Sequence, residues 1–327
     1  MNVVFIIPTG IGCTIGGHAG DATPAAKLIA QNCDKIVLHP NVVNASDINE
    51  MPSNALYVEG SILDRFLAGE IELRETCGNR VLVVTNPPLK PETVNAVNAA
   101  RTTIGMDIQI VELQTPLKMR GWVENGIATG CHEGCEELIE QVSGMSFDAL
   151  AVATPIDIDE GVALDYFRNP VARVNPWGAI EALVSRKIAT AIEKPTAHAP
   201  VENDNTKYDE DLFEMLYREV VDRRKAAELC SSCYIHCIFK GLHKSPRIGS
   251  GINRDSIGCL VSPFGCVGTP HRICLDAGIP VVAVRENTTA FEDVDDRIIY
   301  VDNYLEASGI VSCIAAGIMP SMVRASS

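Results

Sequence analysis

TGIGCTIGGHAGDA, residues Thr9–Ala22, is the stretch that decides the fold of this 327-residue chain. It follows an apolar run, Val3–Ile7, that is typical of a buried strand. It precedes a helical pattern with Thr23 as the expected N-cap and Pro24 at the first helical position. A strand, a loop with five glycines and a helix place backbone N–H groups where they can face an anion. The stretch therefore predicts an α/β fold with a small-molecule site after its first strand.

Short runs rich in valine and isoleucine alternate with helical patterns along the rest of the chain. The runs are continuous, as expected for parallel strands that are buried on both faces. The predicted strands are Val3–Ile7, Lys35–Leu38, Val81–Val84, Ile108–Leu113, Ala149–Ala153, Gly258–Val261, Val281–Val284 and Ile298–Val301. The predicted helices are Pro24–Asn32, Ser61–Ala68, Pro91–Thr103, Glu133–Val142, Trp177–Ile192, Asp211–Leu229, Pro270–Ala277 and Tyr304–Ala315. This alternation predicts an α/β protein with mostly parallel, Rossmann-like sheets flanked by helices, and with a helical insertion or second lobe.

Three regions are expected along the chain. Residues 1–157 form an α/β domain with the glycine-rich loop, residues 158–255 a mainly helical region, and residues 256–327 a further α/β segment. Glu193–Glu210 holds two prolines and a polar run, so we expect it to be a linker. The last segment forms either a second lobe or the completion of the first sheet, and the sequence leaves both arrangements open.

The charge of the chain excludes some partners. A formal net charge of −15 argues against binding to nucleic acid or to anionic lipid. The first apolar run is too short for a signal peptide or a membrane span, so a cytoplasmic location is expected. In that compartment the 12 cysteines are expected to be buried residues, metal ligands or reactive thiols rather than disulfides. The expected partner is a small molecule, and a homo-oligomer is left open.

The glycine loop itself is expected to bind the ligand through Gly12, Gly16 and Gly17. It lacks the Lys-Ser/Thr ending of a P-loop and the glycine spacing of dinucleotide-binding loops. Glycines can also serve only the backbone geometry of a turn. Asp21 is expected either to orient a ligand hydroxyl or to cap the next helix.

Polar and ionisable side chains follow several predicted strands, where ligands bind in open parallel sheets. We expect His39 and Glu286 to provide acid–base chemistry from one shared cleft. The side chains expected to orient the ligand beside them are Asn41, Asn44, Asn287 and Thr288. Turn formation is the simpler explanation for the asparagines and threonine. Arg247 is a further candidate, as an anion clamp or as part of a solvated basic turn.

Cys13 and Cys266 each follow a glycine in a loop that ends a predicted strand. Two thiols that face each other across a cleft could move a proton, as in cofactor-independent amino-acid racemases. The loop amides and the helix N-terminus are expected to lower the pKa of Cys13. The alternative is that both are small loop residues.

Cys230, Cys233 and Cys237 form the strongest metal-like pattern. Three thiolates with an open fourth position could hold zinc or an iron–sulfur cluster. Their spacing also fits one buried face of a helix, along which the thiols spread over about 10 Å, too far apart for one ion. No cofactor is required by the rest of the sequence.

The chain resembles a conserved protein family of unknown function in three segments: Thr9–Ala22, His39–Asn44 and Val284–Thr289. These segments look like the family's glycine loop, its His-Pro-Asn-Val turn and its Arg-Glu-Asn-Thr turn. Two further stretches, Asn54–Gly60 and Leu260–Pro263, are also similar. The resemblance covers most of the chain and implies no activity. The cysteine cluster lies outside the family's pattern, which weakens the case for an essential metal.

These observations favour an enzyme that acts on a small polar or anionic metabolite carrying a carboxylate, amide or phosphate. Ionisable groups that cluster at strand ends are more typical of an active site than of a surface. The alternatives are a metal or iron–sulfur protein, a two-cysteine racemase-like enzyme, and a metabolite sensor that binds without turnover.

Overall fold

The computed structural model describes residues 1–17, 21–43, 45–169, 174–201 and 234–323. Its strands are β1 Asn2–Phe5, β2 Ile36–Leu38, β3 Ala55–Tyr57, β4 Leu73–Arg74, β5 Val81–Thr85, β6 Ile108–Glu112, β7 Lys118–Glu124, β8 Ile127–Glu133, β9 Ala149–Thr154, β10 Thr196–Pro200, β11 Arg247–Ile248, β12 Ile257–Pro263, β13 Val281–Val284 and β14 Ile299–Val301. The helices in the described part are α1 Thr23–Ala30, α2 Gly60–Ala68, α3 Pro91–Thr103, α4 Cys135–Ser143, α5 Glu160–Arg168, α6 Gly178–Ile192, α7 Tyr234–Lys244, α8 Thr269–Asp276 and α9 Tyr304–Ala315.

The larger sheet has six parallel strands in the order β3-β2-β1-β12-β13-β14. We call it the Rossmann-like sheet, because its order matches the doubly wound arrangement in which two half-sheets meet at a switch point. One half comes from the start of the chain and the other from the end. The strands after residue 256 therefore pair directly with β1, and the predicted α/β class is confirmed.

The second sheet is built from the segment between β3 and β12. Its four strands are parallel in the order β6-β5-β9-β10, and we call it the inserted sheet. An antiparallel hairpin, β7–β8, and a short pair, β4–β11, complete the described strands. Within the described ranges, no helix has both the length and the apolar composition needed to cross a bilayer.

Helices cover both faces of the Rossmann-like sheet. Buried residues of α1 and α9, such as Ile29 and Val311, pack on one face, and those of α2 and α8, such as Phe66 and Cys274, pack on the other. Because each strand is buried on both sides, its sequence reads as a continuous apolar run rather than an alternation. The periodicity of the sequence therefore predicted five of the six strands and missed only β3.

Several elements differ from the expectations. The segment expected to be a linker, Glu193–Glu210, contains β10, an edge strand of the inserted sheet. The hairpin β7–β8, strand β3 and helix α5 were not predicted, whereas α3 and α9 have the expected bounds. Helix α1 begins at Thr23, so Ala22 is its N-cap and makes no side-chain cap bond. The predicted helix Asp211–Leu229 lies outside the described residues.

Helix α6 joins the two sheets. Its first residue, Gly178, lies so close to the loop after β1 that an added Cβ would be 2.8 Å from Cγ2 of Thr9. One turn of the same helix packs on the hairpin, where a Cβ at Gly130 would be 2.7 Å from Cβ of Ile180 and 2.5 Å from the Arg120 carbonyl oxygen. Glycine is therefore needed at both positions for close approach of backbones.

We expect Gly130→Ala to lower the free energy of unfolding by about 1–3 kcal/mol, because the methyl group overpacks the contact between the hairpin and α6. Urea unfolding at pH 7 measures this change. The control is Gly309→Ala in α9, where an added Cβ meets no atom within 4 Å. That substitution should raise stability by roughly 0.5–1 kcal/mol, as is usual for glycine in a helix interior. A Gly130→Ala protein as stable as the wild type would contradict the close packing of α6 on the hairpin.

Candidate functional site

The switch point of the Rossmann-like sheet lies between β1 and β12, which are adjacent and parallel. The chain leaves β1 into the glycine loop, Thr9–Ala22, and leaves β12 into the segment Phe264–Gly268. Ligands of doubly wound proteins bind in the crevice that opens where the connections diverge from such a pair of strands. The glycine loop therefore occupies the position that the sheet topology favours for a ligand.

Asn287 fixes the shape of the glycine loop. This fully buried side chain follows β13 and accepts a hydrogen bond from the Ile15 N–H at 2.8 Å. Its amide nitrogen donates to the Ile15 carbonyl at 2.9 Å and to the Tyr304 hydroxyl at 2.7 Å. The side chain predicted to bind a ligand thus binds the loop, and it ties the loop to both β13 and α9.

Further bonds fix the middle of the loop. The Thr14 N–H donates to the Thr288 carbonyl at 3.0 Å, and the two hydroxyls lie 2.8 Å apart. The Gly16 N–H donates to the Asp21 carboxylate, so Asp21 holds the end of the loop against its middle. The N-cap of α1 is Ala22 and not Asp21. Gly16 has a φ of 78°, which favours glycine. The amides of residues 14 to 16 are therefore all used within the protein.

The preceding amides are not used in this way. Within the described chain, the N–H groups of Ile11, Gly12 and Cys13 donate no hydrogen bond, and both Gly12 and Cys13 are buried. Buried backbone N–H groups without a partner are rare in folded proteins. Gly10 and Gly12 have φ values of 79° and 65°, which turn the backbone sharply at this point. The described chain therefore leaves three consecutive amides of the loop without an acceptor.

The first two of these residues, Ile11 and Gly12, line a cleft of about 660 Å³. Its walls are the glycine loop, the turn after Thr288, the tip of the β7–β8 hairpin and helix α5. The residues that line it are Ile11, Gly12, Val123, Gly126, Asp159, Gly161, Val162, Asp165, Tyr166, Val174, Pro176, Thr289 and Ala290. The hairpin reaches the loop through a bond of 2.9 Å from the Ala128 N–H to the Gly10 carbonyl. A volume of this size is typical of small-molecule sites.

His39 and Asn41 lie on the other side of the glycine loop from this cleft, after β2. The His39 ring accepts the Asn41 N–H at Nδ1, 3.2 Å, so the proton of the neutral ring is on Nε2. Burial lowers the pKa of His39 to about 4. The Asn41 side chain donates to the Thr9 hydroxyl at 3.1 Å and to the Pro8 carbonyl. This turn therefore supports the start of the loop with a neutral histidine.

Glu286 is separated from His39 by the strand order. It follows β13, three strand spacings from β2, which is roughly 14 Å at about 4.8 Å per strand. Its exposed carboxylate accepts the Tyr304 N–H at 3.0 Å and so holds the start of α9. The structure does not bring the two residues to one cleft.

Cys13 and Cys266 do lie near each other, because each loop leaves one of the two central strands. Both are buried, and their thiols face carbonyl oxygens of Pro8 and Pro263. Burial raises the pKa of Cys13 above its usual value, and the nearby Cys266 adds to this shift. Burial also raises the pKa of Cys266 to about 12. The expectation of a lowered Cys13 pKa is therefore wrong, since desolvation outweighs the loop dipoles.

His271 has a structural role beside Cys266. Its Nδ1 accepts the Gly268 N–H at 3.2 Å, and its Nε2 donates to the Ser262 hydroxyl at 2.9 Å. The ring is buried, which lowers its pKa to about 4. The neutral ring thus fixes the segment after β12 against the start of α8.

Of the three proposed metal ligands, the structure describes only Cys237. Cys230 and Cys233 lie outside the described residues, as does Asn44, while Cys237 lies on α7. Over the described part of the chain, no group of three or more His, Cys, Asp or Glu residues is placed to hold a metal ion. Arg247 binds Asn79, the Gly78 carbonyl and Asp148, each at 3.0 Å or less, so its guanidinium is engaged away from the cleft.

Sequence reasoning missed the acidic wall of the cleft. Asp159 accepts the Val162 N–H at 3.2 Å as the N-cap of α5, and Asp165 follows on the same helix. An aspartate followed by a helical pattern is a recognisable cap, and it would have placed α5 correctly. The Asn125-Gly126 turn of the hairpin, with φ values of 53° and 75°, is the strongest short-range hairpin signal and was also passed over.

Two buried ionisable groups elsewhere, Glu59 at a strand end and His198 within a strand, were missed as well. Glu59, after β3, is 7% exposed, and its Oε1 has no partner among the described residues. Burial raises its pKa to about 8. His198 on β10 donates from Nε2 to the Thr154 carbonyl at 2.9 Å, and its Nδ1 lies 3.3 Å from Glu181 of α6. Ser61, two residues after Glu59, donates to the Thr196 carbonyl at 3.3 Å, so the start of α2 lies against β10.

The fold and the cleft define an α/β protein with a Rossmann strand order, an inserted parallel sheet and an open loop at the switch point. The profile of the family described as "Protein of unknown function (DUF3326)" matches residues 2–324, and the chain belongs to that family. An uncharacterized lipoprotein of Synechococcus sp. is 30% identical over 344 residues, covering 98% of this chain and 92% of that protein. The resemblance to a family of unknown function is therefore confirmed.

We expect Glu59→Gln to stabilise the protein increasingly as the pH rises. The folded-state pKa of about 8 lies above the ordinary value of 4.5, so the folded protein keeps a proton that the unfolded chain has lost. The free energy of unfolding therefore falls through this pH window, and glutamine removes that loss. At pH 7 the gain is on the order of 3 kcal/mol, measured by urea unfolding against wild type at pH 5 and pH 7.

The control for this prediction is Glu140→Gln, because Glu140 is exposed and water solvates its carboxylate in both states. Its effect should be the same at both pH values. An equal effect of Glu59→Gln at pH 5 and pH 7 would show that the Glu59 carboxyl is solvated or paired.

Proposed function

We propose that the protein is an enzyme that acts on a small polar metabolite bound in the 660 Å³ cleft. A carboxylate, amide or phosphate of the ligand would accept hydrogen bonds from the amides of Ile11 and Gly12. One observation carries this proposal: two cleft-lining residues have N–H groups without a partner in the described chain, at the switch point of the sheet.

The ionisable groups that line the cleft supply the acid–base chemistry in this proposal. They are Asp159, Asp165 and Tyr166. Asp159 is engaged as the cap of α5, whereas the Asp165 carboxylate makes no hydrogen bond or ion pair within the described residues. Asp165 is therefore the group best placed to exchange a proton with a bound ligand. His39 and Glu286 support the loop and α9 in this view and do not touch the substrate.

A metabolite sensor remains the second candidate, because the same cleft binds a ligand without requiring a reaction. The cytoplasmic location stays a prediction of the sequence, and the name lipoprotein is said of the Synechococcus relative alone. The two-cysteine reaction is less well supported, since neither Cys13 nor Cys266 lines the cleft and burial disfavours both thiolates.

We expect Ala290→Phe to abolish ligand binding without unfolding the protein, because Ala290 is exposed at the cleft wall and the ring would fill the space. Ligand-detected NMR with a mixture of small organic acids, amides and phosphate esters measures both binding and turnover. The wild type should bind and convert at least one compound, and the matched variant Ala315→Phe, at an exposed position of α9, should do the same.

Binding that survives Ala290→Phe would contradict the placement of the site. Binding by the wild type without any conversion over many protein equivalents would favour the sensor and overturn the enzyme.

A further inference from the structure

We infer that the ligand of the cleft is a small aminocarboxylate, a zwitterion whose carboxylate meets the amides of Ile11 and Gly12 and whose ammonium group meets Asp165. This inference rests on the proposed function and names its substrate class. It comes from the opposite polarity of the two cleft walls, which a ligand of a single charge does not match.

The first wall offers hydrogen-bond donors. Ile11 and Gly12 line the cleft, and their N–H groups are left open while Thr14, Ile15 and Gly16 all donate within the protein. A carboxylate accepts two parallel N–H bonds readily, and bonds to a charged acceptor are about twice as strong as neutral ones.

The second wall offers negative charge. Helix α5 turns the face of Gly161, Val162, Asp165 and Tyr166 towards the cleft, as positions three and four apart do. The carboxylate of Asp165 has no partner in the described chain, so it is available to a cation. Asp159 adds a second negative charge at the start of the same helix.

The charge of the surroundings disfavours the other ligand classes. Among the described residues that line the cleft, none is lysine or arginine, and the whole chain carries a net charge of −15. A phosphate dianion would meet two aspartates, with no lysine or arginine among the described lining residues to offset them. A neutral zwitterion satisfies both walls and has no net repulsion from the field of the protein.

Apolar side chains also line the cleft. They belong to Val123, Val162, Val174 and Pro176, and a short methylene chain between the carboxylate and the ammonium group would be partly desolvated against them. The lining thus combines N–H groups that bind an acceptor, a carboxylate that binds a cation, and apolar side chains.

Four C5 compounds test this inference by isothermal titration at low ionic strength: norvaline, 5-aminopentanoate, pentanoate and pentylamine. At least one of the two aminocarboxylates should bind about fivefold more tightly than both pentanoate and pentylamine, as expected for one added ion pair in a partly open site. Asp165→Asn should remove this advantage without weakening the binding of pentanoate.

The control is Asp107→Asn, which changes the net charge equally at an exposed position before β6. It should keep the preference for the aminocarboxylate. Equal binding of pentanoate and both aminocarboxylates, or a preference that Asp165→Asn does not reduce, would overturn the zwitterion while leaving the cleft as the site. Absence of binding by all four compounds would overturn it as well, and the Ala290→Phe comparison with the broader mixture would then decide the proposed function separately.

Discussion

The buried side chain of Asn287 is the constraint on which the site depends. It belongs to the C-terminal half of the Rossmann-like sheet, yet it completes the hydrogen bonds of a loop that belongs to the N-terminal half. The loop carries too many glycines to hold one shape alone, since glycine loses the most backbone freedom on folding. Asn287, with Thr288 and Asp21, supplies the missing order. The two ends of the chain must therefore meet in one sheet before the loop can take its form.

These contacts change the interpretation of the polar residues at the strand ends. Asn41, Asn287 and Glu286 bind backbone groups in or directly before the loop, or at a helix start, and the Thr288 hydroxyl binds that of Thr14. They leave a short run of amides, at residues 11 to 13, with no partner in the described chain. In this account the ligand binds to backbone N–H groups, and the side chains hold the loop in a shape that leaves these groups without a partner in the described chain. The hairpin β7–β8 and helix α5, both from the segment between β3 and β12, then form the far side of the cleft.

The sequence predicted the sheet strands well because valine and isoleucine runs buried on both faces have few alternative structures. It also predicted the position of the glycine loop, because the loop follows one of these runs, Val3–Ile7. It did not predict which strands are neighbours, and that order separates Glu286 from His39 and places Cys13 beside Cys266. The pairing of strands that are far apart in the chain leaves no signal in the sequence near either strand. The hairpin at Asn125-Gly126 and the cap at Asp159 did leave local signals. The sequence could therefore have predicted the two elements that form the far side of the cleft. The burial of Glu59 could not be predicted, because nothing in Val58-Glu59-Gly60 shows that the start of α2 lies against β10.

The most direct measurement is an amide ¹H–¹⁵N spectrum of the deuterated 327-residue chain, titrated with the tightest-binding compound of the C5 series. If the open amides hold the ligand, the largest shifts fall on Ile11 and Gly12, the two that line the cleft. The neighbouring amides of Thr14, Ile15 and Gly16, which already bind Thr288, Asn287 and Asp21, should shift little. Largest shifts at His39–Asn41, or equal shifts along the whole loop, would contradict the account.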